Sequence, residues 1–104
     1  MDTYIGFVTL GDVIEGLVQS RNATLVPTAA DGTVAFRVYG QDGLMTNGTG
    51  TGSLKDSGNR TGLYKLQVTA SAANGYESGQ NYQISVNWAV SSTAKAATLT
   101  FTVL

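Results

Sequence analysis

Apolar and polar side chains alternate with a period of two along the C-terminal half of the chain. In residues 82–90, Tyr82, Ile84, Val86 and Trp88 are large and apolar, while Gln83, Ser85 and Asn87 between them are polar. A period of two sets the first group on one face of a β-strand and the second group on the other. The segment therefore predicts a strand with one face in a core and the other turned to solvent or a partner. Tyr64, Leu66, Val68 and Ala70 repeat the pattern against Lys65, Gln67 and Thr69. Leu99, Phe101 and Val103 repeat it against Thr98, Thr100 and Thr102. Threonine is a good strand former, so this polar face does not weaken the assignment.

The middle of the chain carries Val34, Phe36 and Val38 on one side of a predicted strand over 33–39, with Ala35, Arg37 and Tyr39 on the other. Residues 4–10 and 13–19 are β-prone runs interrupted by Gly6, Gly11 and Gly16, which predict bends or bulges. A further short strand is expected at 24–26. Asp31-Gly32, Asp42-Gly43 and Asn74-Gly75 mark turns, because Asn, Asp and Gly tolerate positive φ. Residues 46–62 are rich in Gly, Thr, Ser and Asn, with Leu54 their lone large apolar residue. They read as a loop or a weak edge hairpin. Helix is disfavoured throughout; a short helical turn is expected at 71–77. About seven short strands separated by turns predict an all-β sandwich or small barrel. Its core consists of Phe36, Val38, Tyr64, Leu66, Val68, Tyr82, Ile84, Val86, Trp88, Leu99, Phe101 and Val103. The 104 residues make one domain, with 1–10 as a contact arm or edge strand.

Composition narrows the chemistry. The chain has no Cys and no His. That excludes disulfides, Ser-His-Asp and Cys-His nucleophilic sites, and the usual zinc sites. The acids Asp2, Asp12, Glu15, Asp31, Asp42, Asp56 and Glu77 are read as strand-end and turn residues making local hydrogen bonds. They show no D-x-D-x-D-G spacing for calcium. Gly48-Thr49-Gly50-Thr51-Gly52 lacks the Lys-Ser/Thr of a phosphate loop. The sequons at Asn22, Asn47 and Asn59 are read as chance matches in a chain rich in Asn and Thr. No catalytic residue, cofactor or metal is expected, and the chain reads as not an enzyme.

Charged residues are 12% of the chain and the net charge is −1, so nothing steers it to nucleic acid or an anionic membrane. No stretch approaches the roughly 20 apolar residues of a membrane span, and the start Met1-Asp2-Thr3-Tyr4 carries no basic residue. A weakly charged surface suits close neighbours as well as a merely polar β domain. Tyr4, Ile5, Phe7, Arg37, Tyr39 and Leu54 are the candidate protein contacts.

Residues 76–86, Tyr-Glu-Ser-Gly-Gln-Asn-Tyr-Gln-Ile-Ser-Val, resemble the turn and penultimate strand of fibronectin type III and related immunoglobulin-like domains, with Ser78 where a proline is usual. The resemblance implies an immunoglobulin-like antiparallel β-sandwich, with Tyr82 as a corner tyrosine whose hydroxyl bonds to backbone nearby. Leu10-Gly11-Asp12, Gly62-Leu63-Tyr64 and Asn74-Gly75-Tyr76-Glu77-Ser78-Gly79 are similar to segments of small immunoglobulin-like structural proteins of tailed bacteriophages. That likeness implies a homo-oligomeric virion component, made in the host cytoplasm, that binds the major capsid protein or other virion proteins. The expected role is a capsid decoration or cement protein. A tail, neck or baseplate part, and a carbohydrate- or receptor-binding module, are the alternatives.

Overall fold

A computed structural model describes residues 2–104. Eight strands follow one another: β1 (Asp2–Val8), β2 (Val13–Gln19), β3 (Ala35–Gly40), β4 (Gly43–Thr51), β5 (Ser53–Leu54), β6 (Leu63–Thr69), β7 (Asn81–Val90) and β8 (Thr93–Val103). A 3-10 turn over Ala72–Asn74 precedes β7, capped by the Ser71 side chain and by left-handed Gly75. The strands form two sheets, one ordered β1-β8-β7-β3-β4 and the other β2-β6-β5.

Several expectations need correction. The strands number eight rather than about seven, and the larger sheet is mixed, because β1 runs parallel to β8. These two strands lie at opposite ends of the chain. No hairpin joins them, so nothing imposes an antiparallel pairing. The extra strands come from residues 46–62, which hold edge strands at 46–51 and 53–54 and, over 55–62, the loop of the β5–β6 hairpin. β4 pairs with β3 in one sheet and β5 with β6 in the other. The chain changes sheets at Gly52, where a Cβ would sit 3.0 Å from Leu66 Cδ2. The strand expected at 24–26 is instead a turn. Asn22 Oδ1 accepts the N–H groups of Thr24 and Val26, and Leu25 takes a φ of 65°.

The sheets meet through their alternating faces. Ile14 and Val18 of β2 and Tyr64, Leu66 and Val68 of β6 pack in one buried cluster with Phe36, Val38, Tyr82, Ile84, Val86, Leu99, Phe101 and Val103 of the larger sheet. Tyr76, Tyr82 and Phe101 stack at one end, with centroids 4.7 Å apart for the tyrosines and 5.5 Å for Tyr82 and Phe101. The Tyr82 hydroxyl accepts the Glu77 N–H at 2.8 Å, the corner bond expected of it.

Trp88 departs from its predicted place in the core: it is half-buried and packs on the cluster's margin. Its parity is right, but three strands do not cover five, and it lines a surface groove with Leu17, Leu25 and Leu99. Its Nε1 is sealed from solvent without a partner.

Asp12 and Asp56 perform the local task read for the acids, accepting from the Thr9 N–H at 3.0 Å and from Asn59 Nδ2 at 3.1 Å. Asp31 instead acts far along the chain. Its carboxylate accepts the N–H groups of Ser91 and Ser92, both left-handed at φ 50° and 64°, and so holds the β7–β8 hairpin turn. Glu15 departs from the local reading in another way. It lies mid-strand in β2, where the Lys55 ammonium bonds its carboxylate and holds it below the ordinary carboxyl range.

Phe101 has no exposed surface. Phe101→Ala is expected to destabilise the fold by about 3–5 kcal/mol, read from a urea unfolding midpoint shift. Tyr76 is buried, and burial, then the neighbouring Tyr82, pushes its hydroxyl up to about 12. The unfolded chain ionises this group near its ordinary value while the fold retains the proton. Stability from Tyr76 is therefore complete below pH 10 and falls between pH 10 and 12. Ultraviolet titration should show one tyrosine ionising at higher pH than an ordinary tyrosine, and Tyr76→Phe should flatten the alkaline loss of stability.

Candidate interaction face

The outer face of the five-stranded sheet carries the concentration of candidate contact residues. β1 enters beside β8 with Tyr4 opposite Thr100 and Gly6 opposite Phe101, so Ile5 is an extra residue without a counterpart. In a regular strand, positions 4 and 7 point to opposite faces. The bulge removes that difference, and Gly6 accommodates it at φ 121°. Tyr4 and Phe7 consequently emerge together, 54% and 66% exposed, with rings edge to face at 6.1 Å. Ile5 turns inward and packs against the core.

Register builds the rest of the face. Tyr39 of β3 lies opposite Gln83 of β7, Gln83 opposite Thr100 of β8, and Thr100 opposite Tyr4. This makes one cross-strand row of tyrosine, amide, hydroxyl and tyrosine over four strands. Beside it, Tyr4 donates a hydrogen bond to Thr102, which donates to Asn81. Tyr4, Tyr39, Gln41, Asn81, Gln83 and Thr100 line a shallow depression of about 490 Å³. Arg37 is exposed on the same face, opposite Ser85.

Of the six candidate contacts, Tyr4, Phe7, Arg37 and Tyr39 therefore share this face. Ile5 is partly buried, packed against the core from the inner face. Leu54 is 45% exposed on β5 of the other sheet, away from the row. Gln83, Thr100, Thr102 and Asn81 were not singled out as site residues, although their parity with the polar face of β7 and β8 announced their direction. Exposed Val13, Leu17 and Leu25 were also missed, since parity does not reveal that a face lacks a covering layer.

Among the described residues no three acids come together in an arrangement able to hold a metal ion. No family model, curated protein or solved structure matches the chain. If Gly6 carries the bulge, Gly6→Val should cost about 1–3 kcal/mol of stability. Gly32→Ala, where a Cβ meets open space, should change stability by less than about 0.5 kcal/mol. Parallel denaturant melts check both.

Proposed function

We propose that the chain is a non-enzymatic structural protein of immunoglobulin-like topology that docks on a protein assembly through the outer face of its five-stranded sheet. In its most specific form, it is a capsid decoration protein seated on the major capsid protein lattice of a tailed bacteriophage. The observation that carries the docking reading is the Tyr39–Gln83–Thr100–Tyr4 row with Phe7 beside it. Aromatic side chains are enriched, and charges depleted, at the centres of protein interfaces. A shallow, aromatic, weakly charged surface suits a broad protein contact.

The strand order supports the topological part. Lettered in chain order A, B, C, C′, D, E, F and G, the larger sheet reads A-G-F-C-C′ and the smaller B-E-D. This shares the G-F-C and E-B neighbourhoods of immunoglobulin-type sandwiches. The Tyr82 corner bond adds to it. The virion identity rests on the likeness of residues 10–12, 62–64 and 74–79 to phage structural proteins. Gly11, Gly62, Gly75 and Gly79 in these segments all adopt positive φ at turns.

The amide and hydroxyl groups between two tyrosines also favour a second reading, a sugar-binding face. It predicts a glycan that protects the depression, whereas the first reading predicts none.

The test is quantitative mass spectrometry of purified particles, with binding of the purified domain to undecorated capsids. A copy number matching the capsid lattice supports decoration, and a few copies per particle assigns the chain to the tail, neck or baseplate. Phe7→Ser and Tyr39→Ala should each weaken capsid binding about tenfold or more with little change in fold. Unchanged binding in both would remove the outer face from the proposal.

A further inference from the structure

The four edge strands of the two sheets differ in how they resist pairing with another chain. β1 is bulged at Ile5. In β4, Arg37 opposes Thr49 while Tyr39 opposes Leu44, so residues 45–48 stand opposite Val38 alone in a wide irregularity that includes left-handed Asn47. β5 is two residues long. Bulges and shortness are ways in which proteins block edge-to-edge association. β2 has neither. Its seven residues hold unbroken register with β6, from Val13 opposite Thr69 to Gln19 opposite Leu63, without a proline.

The hydrogen-bond phase of β2 follows from its ends. Ala70 N–H bonds the Asp12 carbonyl, and Ser20 N–H bonds the Gly62 carbonyl. Even-numbered residues therefore face β6, and Val13, Glu15, Leu17 and Gln19 direct their N–H and C=O groups to the open edge. The chemical complement of that edge is another extended backbone. The edge side chains are apolar for an exposed strand: Val13 is 63% and Leu17 47% exposed, with Leu25, 72% exposed, lining the adjoining groove with Leu17. Its one charge, Glu15, is already occupied by Lys55.

A second copy of the chain supplies a matching edge. Antiparallel pairing of a strand with itself obeys twofold symmetry, and only some registers suit this sequence. Centring on Glu15 sets two carboxylates face to face. Centring on Leu17 sets leucine against leucine and keeps the two carboxylates apart, each Glu15 lying opposite the uncharged Gln19 of the second copy. The net charge of −1 gives little repulsion between copies. We propose that the chain dimerises through β2, antiparallel about a twofold axis at Leu17, so that two three-stranded sheets continue as one of six strands. This interface lies on the other sheet from the docking face and does not depend on it.

The absence of Cys allows a direct test. Leu17→Cys would place two thiols across the axis on Cα atoms about 5.5 Å apart, within disulfide reach. Mild oxidation should give a covalent dimer, whereas Leu44→Cys, equally exposed on β4, should not. In sedimentation velocity over a concentration series the unmodified chain should be a dimer. Leu17→Glu should weaken self-association about tenfold or more, with an unchanged circular dichroism spectrum. Phe7→Ser, which tests the docking face, should leave the dimer intact. A chain monomeric at every concentration overturns the proposal, even if it accepts another protein's strand at β2. So does a dimer indifferent to Leu17→Glu. A dimer that Leu17→Glu dissolves but Leu17→Cys fails to cross-link overturns the axis at Leu17.

Discussion

Two sheets of unequal width share one seam of alternating side chains. Five strands face three, and β2, β3, β6, β7 and β8 contribute alternating residues to a common interior. The seam holds because Leu66, Ile84, Val86, Phe101 and Val103 lose essentially all contact with water, a burial worth roughly 2 kcal/mol for each large side chain. The inequality matters as much as the seam. A smaller sheet cannot cover the whole inner face of a larger one, so Trp88, in correct phase, ends at the margin with its indole N–H unpaired. The same shortfall leaves the groove beside Leu17 and Leu25 and the bare edge of β2. One geometric constraint thus explains the strongest part of the fold and its least finished side.

The parity of strands was legible in the sequence and the departures from parity were not. Alternation in 64–70, 82–90 and 98–103 assigns inside and outside correctly because a strand's side chains have no third direction to take. It fails at the N-terminal strand, where one extra residue reverses the phase. Gly6 signalled a bulge, but not that the bulge would swing Phe7 outward beside Tyr4 and turn Ile5 inward. Residues 46–62 were obscure for another reason. Gly and Thr there carry little apolar periodicity, and their strand structure comes from neighbours, β3 on one side and β6 on the other. Turn chemistry distant in sequence was equally hidden. Ser91 and Ser92 give no hairpin signal of their own, and the carboxylate that holds them is Asp31, sixty residues earlier.

The candidate site was half legible for related reasons. Tyr4, Phe7, Arg37 and Tyr39 stood out as aromatic or basic residues off the predicted core. Their joining into one face required the order β1-β8-β7-β3, which no local pattern encodes. Leu54 shared their exposure without sharing their sheet.

The two surfaces left open by this fold differ in kind, and the difference bears on how such a domain would work in an assembly. The outer face offers side chains, whose recognition depends on a partner's shape and on hydrogen bonds from Gln83, Thr100 and Asn81. The β2 edge offers backbone, which recognises any strand of suitable length and is selective only through the register of Val13, Glu15, Leu17 and Gln19. Because the face belongs to the larger sheet and the edge to the smaller, occupying one leaves the other free. Self-association through the edge would present two docking faces on a single rigid body. The second contact with a lattice would then form at the high effective concentration set by the first, so modest affinity per face suffices for retention. On this proposal the strength of attachment would come from repetition of a contact rather than from the chemistry of any one residue.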